Sequence, residues 1–348
     1  MRFVVLLATW MACFGAWAQS PHRDLYLYKG ADRDKRLIEG AQREKRALVY
    51  TSLNLKDSLP IVQAFEKKYG VKIELWRSSS EKVLQRALTE ARAGRFAADG
   101  FELNGPEMEA LYREGLLEEF WSPQLVNIPP QAIPKHRHYV ADRLNFFTIA
   151  WNTRLVKPNE VPNSYQDLLD PRWAGRLGIE ASEVDWFGSM VKSMGEAKGL
   201  EFFRKLALQK PQVRTGHTLL AGLIASGEIP LAASAYNHSV EQLLRSGAPI
   251  SWKALPPTFG RPNAVAVAKR AERPNAALLF IDFMLSLEGQ RLIKEHNRVP
   301  ASQKVDSKLN DFPYQMIDPA IVIDEAAKWE KIWSDLFLKG QAIKKERD

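Results

Sequence analysis

The sequence predicts an α/β fold in two lobes, and three observations carry that prediction. Between residues 47 and 117, short runs of β-formers alternate with segments of helical periodicity. Two later runs, residues 145–152 and 264–268, have strand character and bracket a stretch that again alternates strand and helix patterns. With 348 residues, 45% hydrophobic and 26% charged, the chain is long enough to bury two cores.

Taken in order, residues 47–50 read as a buried strand. A helix is expected from a capping Ser58, with Pro60 in its first turn, an apolar face of Ile61, Val62, Phe65 and Tyr69, and Gly70 as its stop. Val71, Ile73 and Leu75 alternate with Lys72 and Glu74, the pattern of a strand with one wet face. Ser78, Ser79 and Ser80 stand where the next helix begins, and Val83, Leu84, Ala87, Leu88 and Ala91 form its stripe as far as Gly94. A third strand, residues 97–103, ends at Asn104, and Gly105 and Pro106 open a helix through Met108, Leu111 and Tyr112. Such alternation makes parallel βαβ units, whose sheets hold ligands beyond the carboxyl ends of their strands. Loops 51–54, 76–80 and 103–105 therefore share one rim.

Phe146, Phe147, Ile149 and Trp151 make residues 145–152 the first strand to cross between lobes. The second lobe is expected to hold a short helix at 165–169, a strand at 176–179, helices at 186–194, 199–207 and 218–226, and a strand at 230–235. Residues 256–262, with three prolines, read as a turn, and 264–268 as the second crossing. Ala277, Leu278, Ile281, Phe283 and Met284 give residues 274–287 an amphipathic helix. Upstream, Leu37, Ile38 and Ala41 mark another at 32–45. The expected division is 1–18 signal peptide, 19–46 leader and helix, 47–145 first lobe, 146–252 second lobe, and 253–348 return to the first lobe with C-terminal wrapping helices.

Arg2, an apolar run to Phe14 and small residues at Ala16 and Ala18 describe a cleaved secretory signal. Cys13, the single cysteine, falls within it, so the exported chain is expected to contain neither disulfide nor cysteine-ligated metal. The formal charge of +8 falls by one when Arg2 is removed. Its basic residues lie in mixed clusters such as residues 33–36 and 43–46 without an aromatic platform, which argues for solvated helix faces and against a nucleic-acid partner.

Motifs for catalysis are missing: Gly188 and Ser189 lack the glycine pattern of a nucleophile elbow, no phosphate-cradling loop is present, and His136 and His138 are the only close histidine pair. We therefore expect a binding protein, with no catalytic residue, cofactor or metal. The candidate ligand contacts are polar. Ser52 and Asn54 follow the first strand, Ser79 and Ser80 start a helix, and Asn104 ends the third strand. From the second lobe come Ser182, Asp185 and Trp186 at a helix start, and Tyr236 and Asn237 after a strand. Helix N-termini with Ser hydroxyls favour an anion or an oxygen-rich group. Trp186 either stacks on the ligand, the reading preferred here, or fills the core of the second lobe, whereas Asp185, with Glu183, reads first as a helix-start charge.

Several of these segments resemble a known family. They are residues 48–52, 64–73, 77–80 and 109–117, then 145–153, 162–176 and 280–290. Their order and spacing are similar to those of the periplasmic solute-binding proteins of ABC importers, in the branch that contains the ferric-ion binders. The resemblance implies the two-lobed periplasmic-binding-protein fold of type II, with two crossing strands, a hinge and an interlobe cleft. It also implies a periplasmic monomer that delivers a small-molecule solute to an inner-membrane permease. Ferric binders of this branch place a His in the first loop, an acid after the third strand and two adjacent tyrosines in the second lobe. Here Asn54, then Leu103 and Asn104, then Tyr236 and Asn237 stand at those places. The implied solute is a small polar or anionic organic molecule, phosphorylated or phosphonate-bearing solutes included. A ferric ion or ferric chelate is the alternative within the class. A periplasmic sensor subunit stands outside it, as does a hydrolase with His217 or His238 against Ser182 or Ser189.

Overall fold

The computed structural model describes residues 21–339. The expected signal peptide, Cys13 and the charged C-terminal end lie outside the described residues. No helix within them is long and apolar enough to cross a membrane.

The strands are β1 (Arg46–Thr51), β2 (Lys72–Arg77), β3 (Gly100–Asn104), β4 (Val140–Asn152), β5 (Leu177–Glu180), β6 (Gln212–Arg214), β7 (Leu231–Tyr236), β8 (Ile250–Lys253), β9 (Phe259–Val267), β10 (Val299–Pro300) and β11 (Gln315–Met316). Their order is β2-β1-β3-β9-β4-β7-β5-β6. The first three run parallel to one another, as do β5, β6 and β7. Between these parallel blocks lie β9 and β4, antiparallel to their neighbours. One half of β9 pairs with β3, placing Asn263 opposite Asn104, and one half of β4 pairs with β7, placing Phe147 opposite Tyr236. Parallel strands need helical crossovers, so each block carries its helices on its faces.

Each block closes on its own apolar core. In the first, Phe65 meets Phe280 and Phe283 at ring separations of 5.2 and 5.7 Å. In the second, Trp186, Phe187 and Phe203 form an edge-to-face cluster that Trp333 completes. The helix Pro319–Trp333 joins the two. Its Asp324 pairs with Arg113 at 2.6 Å, its Glu325 with Lys192 at 2.7 Å, and Trp333 donates its indole N–H to the Ala181 carbonyl at 2.7 Å. Trp329 lies so close to Gly188 that a Cβ there would come within 3.0 Å of the indole.

The third strand starts at Gly100, three residues later than expected, the strands β6 and β8 are not anticipated, and three further expectations are revised. The helix after β1 spans Leu55–Tyr69 and starts before Ser58, because the Asn54 carbonyl accepts from the N–H groups of both Asp57 and Ser58 and nucleates the turn early. Pro60 therefore sits inside the helix. The Pro-rich run 256–262 turns only as far as Thr258, and β9 starts at Phe259 because its backbone is taken up by β4 and β11. The helix expected at 274–287 is two, Pro274–Leu285 and Leu287–Glu295, since Ser286 caps the second by accepting from Gly289 N–H at 3.1 Å.

Candidate functional site

The carboxyl ends of the two parallel blocks lead to the helix starts that the sequence singles out, and the polar groups converge on two arginines between them. Arg261 extends from the crossing strand β9. Its Nη2 and Nε both donate to Asp185, the former at 2.6 Å, and its Nη1 donates to the Tyr236 hydroxyl at 2.5 Å. The guanidinium carbon also stands 5.0 Å from the Phe147 ring centre. Burial opposes its charge, but Asp185 and Tyr236 outweigh that cost and hold its pKa well above the usual arginine value.

Arg298 follows the helix Leu287–Glu295. It donates from Nε to Asp57 at 2.9 Å and from Nη1 to the Nε2 of His238. Asp57 belongs to the helix after β1 and His238 to the helix after β7, so one guanidinium ties the lobes together. Burial, then the charge of Arg298, lowers the His238 pKa well below its ordinary value, which leaves a neutral ring able to accept that bond. Deeper in the first lobe, Arg143 donates to Glu102 at 2.6 Å, and Glu102 also accepts from the Thr51 hydroxyl at 2.5 Å.

Around these paired charges lie polar atoms without partners. Both carboxylate oxygens of the buried Glu183, one of Glu107, the Nδ1 of His217 and the hydroxyl of Ser52 accept or donate no hydrogen bond. Burial first, then the charge of Glu180, raises the Glu183 pKa well above the carboxylate range. Burial pushes Glu107 to about 7. His217 stacks on Tyr236 with ring centres 3.4 Å apart, and its Nδ1 stands 3.5 Å from Glu183 Oε1. Burial also raises the Tyr236 phenol pKa well above the ordinary value, keeping it neutral.

Against this geometry the sequence candidates divide. Asp185 and Tyr236 lie in the Arg261 cluster. Asn104 accepts from Asn263 at 2.8 Å, and Asn263 accepts from Asn145 at 2.7 Å, a relay from the first rim to both crossing strands. Ser52 is beside that rim. Asn54 is exposed and accepts from Arg77 at 2.8 Å. Ser79 caps its own helix by accepting from Lys82 N–H, and Ser80 accepts from Asn104 N–H at 3.2 Å. Ser182 is exposed and bonds to Glu180. Asn237 is fully buried and donates to the Leu309 carbonyl at 2.7 Å.

Trp186 is corrected: its ring is fully buried among Tyr165, Phe203 and Phe147, because its helix turns that face into the lobe core. The Ser–His pairing on which the hydrolase alternative depends does not form, since the Ser189 hydroxyl donates to the Asp185 carbonyl and the Ser182 group bonds to Glu180. Sequence reasoning does not single out Arg261, Arg298 or Glu107, and it reads Glu183 first as a helix-start charge. Arg261 was hidden because its strand reads as a turn. For metal, the described residues offer one group, Glu180, Glu183 and His217, whose donor atoms lie within 4.8 Å of one another. An apolar cavity of about 330 Å³ near the helix Pro319–Trp333 shares only Asp185 with the polar cluster.

A family profile described as bacterial extracellular solute-binding protein matches residues 101–326. Iron uptake protein A1 of Synechocystis is 26% identical over 274 residues, 72% of this chain and 73% of that protein. The major ferric iron-binding protein of Neisseria meningitidis serogroup B is 22% identical over 259 residues, 70% of this chain and 77% of the relative. Among solved structures, AfuA of Actinobacillus pleuropneumoniae with exogenous fructose-6-phosphate superposes with a TM-score of 0.74 at 22% identity, over 84% of this chain and 98% of its own. Iron-bound HitA of Pseudomonas aeruginosa gives 0.73 at 19%, over 84% and 99%. These likenesses establish the two-lobed fold.

Proposed function

Because the chain belongs to the bacterial extracellular solute-binding proteins, we propose that it is the periplasmic solute-binding component of an ABC importer, closing its lobes over a small polar organic solute for an inner-membrane permease. The observation that carries this reading is the set of unpartnered buried polar atoms, on Glu183, Glu107, His217 and Ser52, beside Arg261 and Arg298. Buried polar groups are ordinarily satisfied, each exception costing about 1–3 kcal/mol, and a polar solute would remove that cost. Solute contacts to both lobes stabilise the closed form by the difference in affinity between closed and open states. The ties of Arg298 to Asp57 and His238 span the same two lobes.

The hydroxyls of an oxygen-rich solute, those of a sugar phosphate among them, would donate to these acceptors, and AfuA binds fructose-6-phosphate. Ferric iron is the second reading, favoured by the iron-uptake and ferric-binding relatives and by the single phenol of Tyr236. Against a bare Fe³⁺ cage stand Asn54, held by Arg77, and Asn237, turned to Leu309. Thermal shift against phosphate, phosphonates, sugar phosphates, carboxylates, and Fe³⁺ with and without citrate tests the two. Ligand at 100 times its Kd adds about 2.7 kcal/mol. A rise with an organic solute alone supports the proposal, and a rise with ferric forms alone replaces it with the iron reading. Tyr236→Ala should abolish the rise.

A further inference from the structure

The solute reading leaves an electrostatic difficulty. Both arginines of the cluster are already matched, Arg261 by Asp185 and Arg298 by Asp57. Glu180 and Glu183 then stand unmatched beside them, with Glu183 Oε2 no closer than 4.0 Å to Arg261. Three carboxyl groups, Glu180, Glu183 and Asp185, thus face one guanidinium. An anionic solute approaching this side meets repulsion rather than a cradle.

We propose that Glu180, Glu183 and His217 form a divalent transition-metal site, and that the bound ion turns its open positions toward the interlobe space to receive an oxygen of the solute. The donor set is one imidazole nitrogen and two carboxylates, the mixture that suits a borderline ion of the Zn²⁺ type. Donors about 2.1 Å from a common tetrahedral ion stand about 3.4 Å apart, and His217 Nδ1 lies 3.5 Å from Glu183 Oε1. Two further observations point into the same space. Glu183 is fully buried, and neither its oxygens nor His217 Nδ1 makes a hydrogen bond of ordinary geometry, although the Ser234 hydroxyl stands near enough to Glu183 to favour its charged form. Glu180 is held in place by the N–H groups of Ser182 at 2.6 Å and Gly216 at 2.9 Å, and a carboxylate oxygen keeps a second lone pair for an ion. The Tyr236 ring, 3.4 Å from His217, fixes the imidazole plane.

Metal binding itself is independent of the solute proposal; only the solute's attachment to the ion rests on it. Protein stripped with a chelator is titrated with Zn²⁺ and Co²⁺ in the absence of any organic solute. One ion per chain is expected, with a visible Co²⁺ absorption spectrum of a nitrogen and oxygen site. Glu183→Gln and His217→Gln should each lower affinity at least tenfold, while the double change His136→Ala/His138→Ala, at the close histidine pair of the first lobe, leaves it unaltered. Absence of stoichiometric binding to the unsubstituted protein overturns the site. So does binding lost only in the His136/His138 control, or a phenolate-to-iron charge-transfer band with Fe³⁺ that disappears in Tyr236→Phe. Solute binding is then measured with and without the ion. A tenfold gain with metal supports the bridging role, whereas equal affinity overturns that role and leaves the solute proposal intact.

Discussion

Arg261→Met is the substitution that most directly tests the cluster. The side chains of Arg261 and Asp185 are 11% and 6% exposed, and two guanidinium nitrogens reach the one carboxylate. Removing the cation leaves Asp185 as a buried charge without its partner, which costs about 3–5 kcal/mol. Met keeps an apolar stem but loses the guanidinium that stands over the Phe147 ring, so the single loss contains that cation–π contact and the double substitution is needed to isolate the pair. Asp185→Asn strands the guanidinium instead, though the Tyr236 hydroxyl still accepts from it. The double substitution removes both charges and should be less damaging than the two single losses added, with a coupling of about 1–3 kcal/mol. Urea unfolding measures all four proteins, the midpoint moving while the slope stays constant. A single loss under about 1 kcal/mol, or strict additivity in the double change, would refute the claim that this pair organises the cluster.

Glu107 gives a pH signature. Burial pushes its carboxyl to about 7 from 4.5, so the folded protein keeps a proton that the unfolded chain has released, and stability falls as pH rises between those values. Urea midpoints for Glu107→Gln should match the unsubstituted protein at pH 4 and exceed it at pH 8 by up to about 3 kcal/mol. An equal difference at both pH values would assign the effect to packing. Trp186→Ala, in the core of the second lobe, should cost about 3–5 kcal/mol in the same assay. Ser79→Ala should cost about 1 kcal/mol through its lost cap and leave solute affinity unchanged; a tenfold affinity loss would return Ser79 to the binding surface.

How far the fold was legible depends on where each segment's hydrogen bonds go. Segments 47–50 and 71–75 and the helix starting at Ser80 satisfy themselves within one βαβ unit, and their periodicity placed them close to where they lie. Residues 259–262, the first part of β9, read as a turn because Pro is rare inside strands, whereas 264–268 reads as the crossing strand. Its partners β3, β4 and β11 come from far along the chain, and no local pattern announces them. The same distance hid Arg261, whose acid and phenol lie 76 and 25 residues away. Trp186 shows the converse error. An aromatic at a helix start looks like a ligand platform until the helix's rotation is known, and Tyr165, Phe203 and Phe147 settle that rotation toward the core.

The Ser and Asn groups at the rim are mostly engaged with their own helices or neighbouring loops, as Ser79 with Lys82 and Asn54 with Arg77 show. Residues with satisfied hydrogen bonds have little left to offer a solute, whereas Glu183, Glu107 and His217 hold unused capacity in a place where unused capacity is expensive. On the proposed reading, specificity resides less in the polar rim that the sequence displays than in Glu107, Glu183 and His217, set at the starts of three helices. Two chains that share the βαβ pattern can accordingly differ in cargo through a few crossing-strand and helix-start residues, which is why the fold alone does not name the solute.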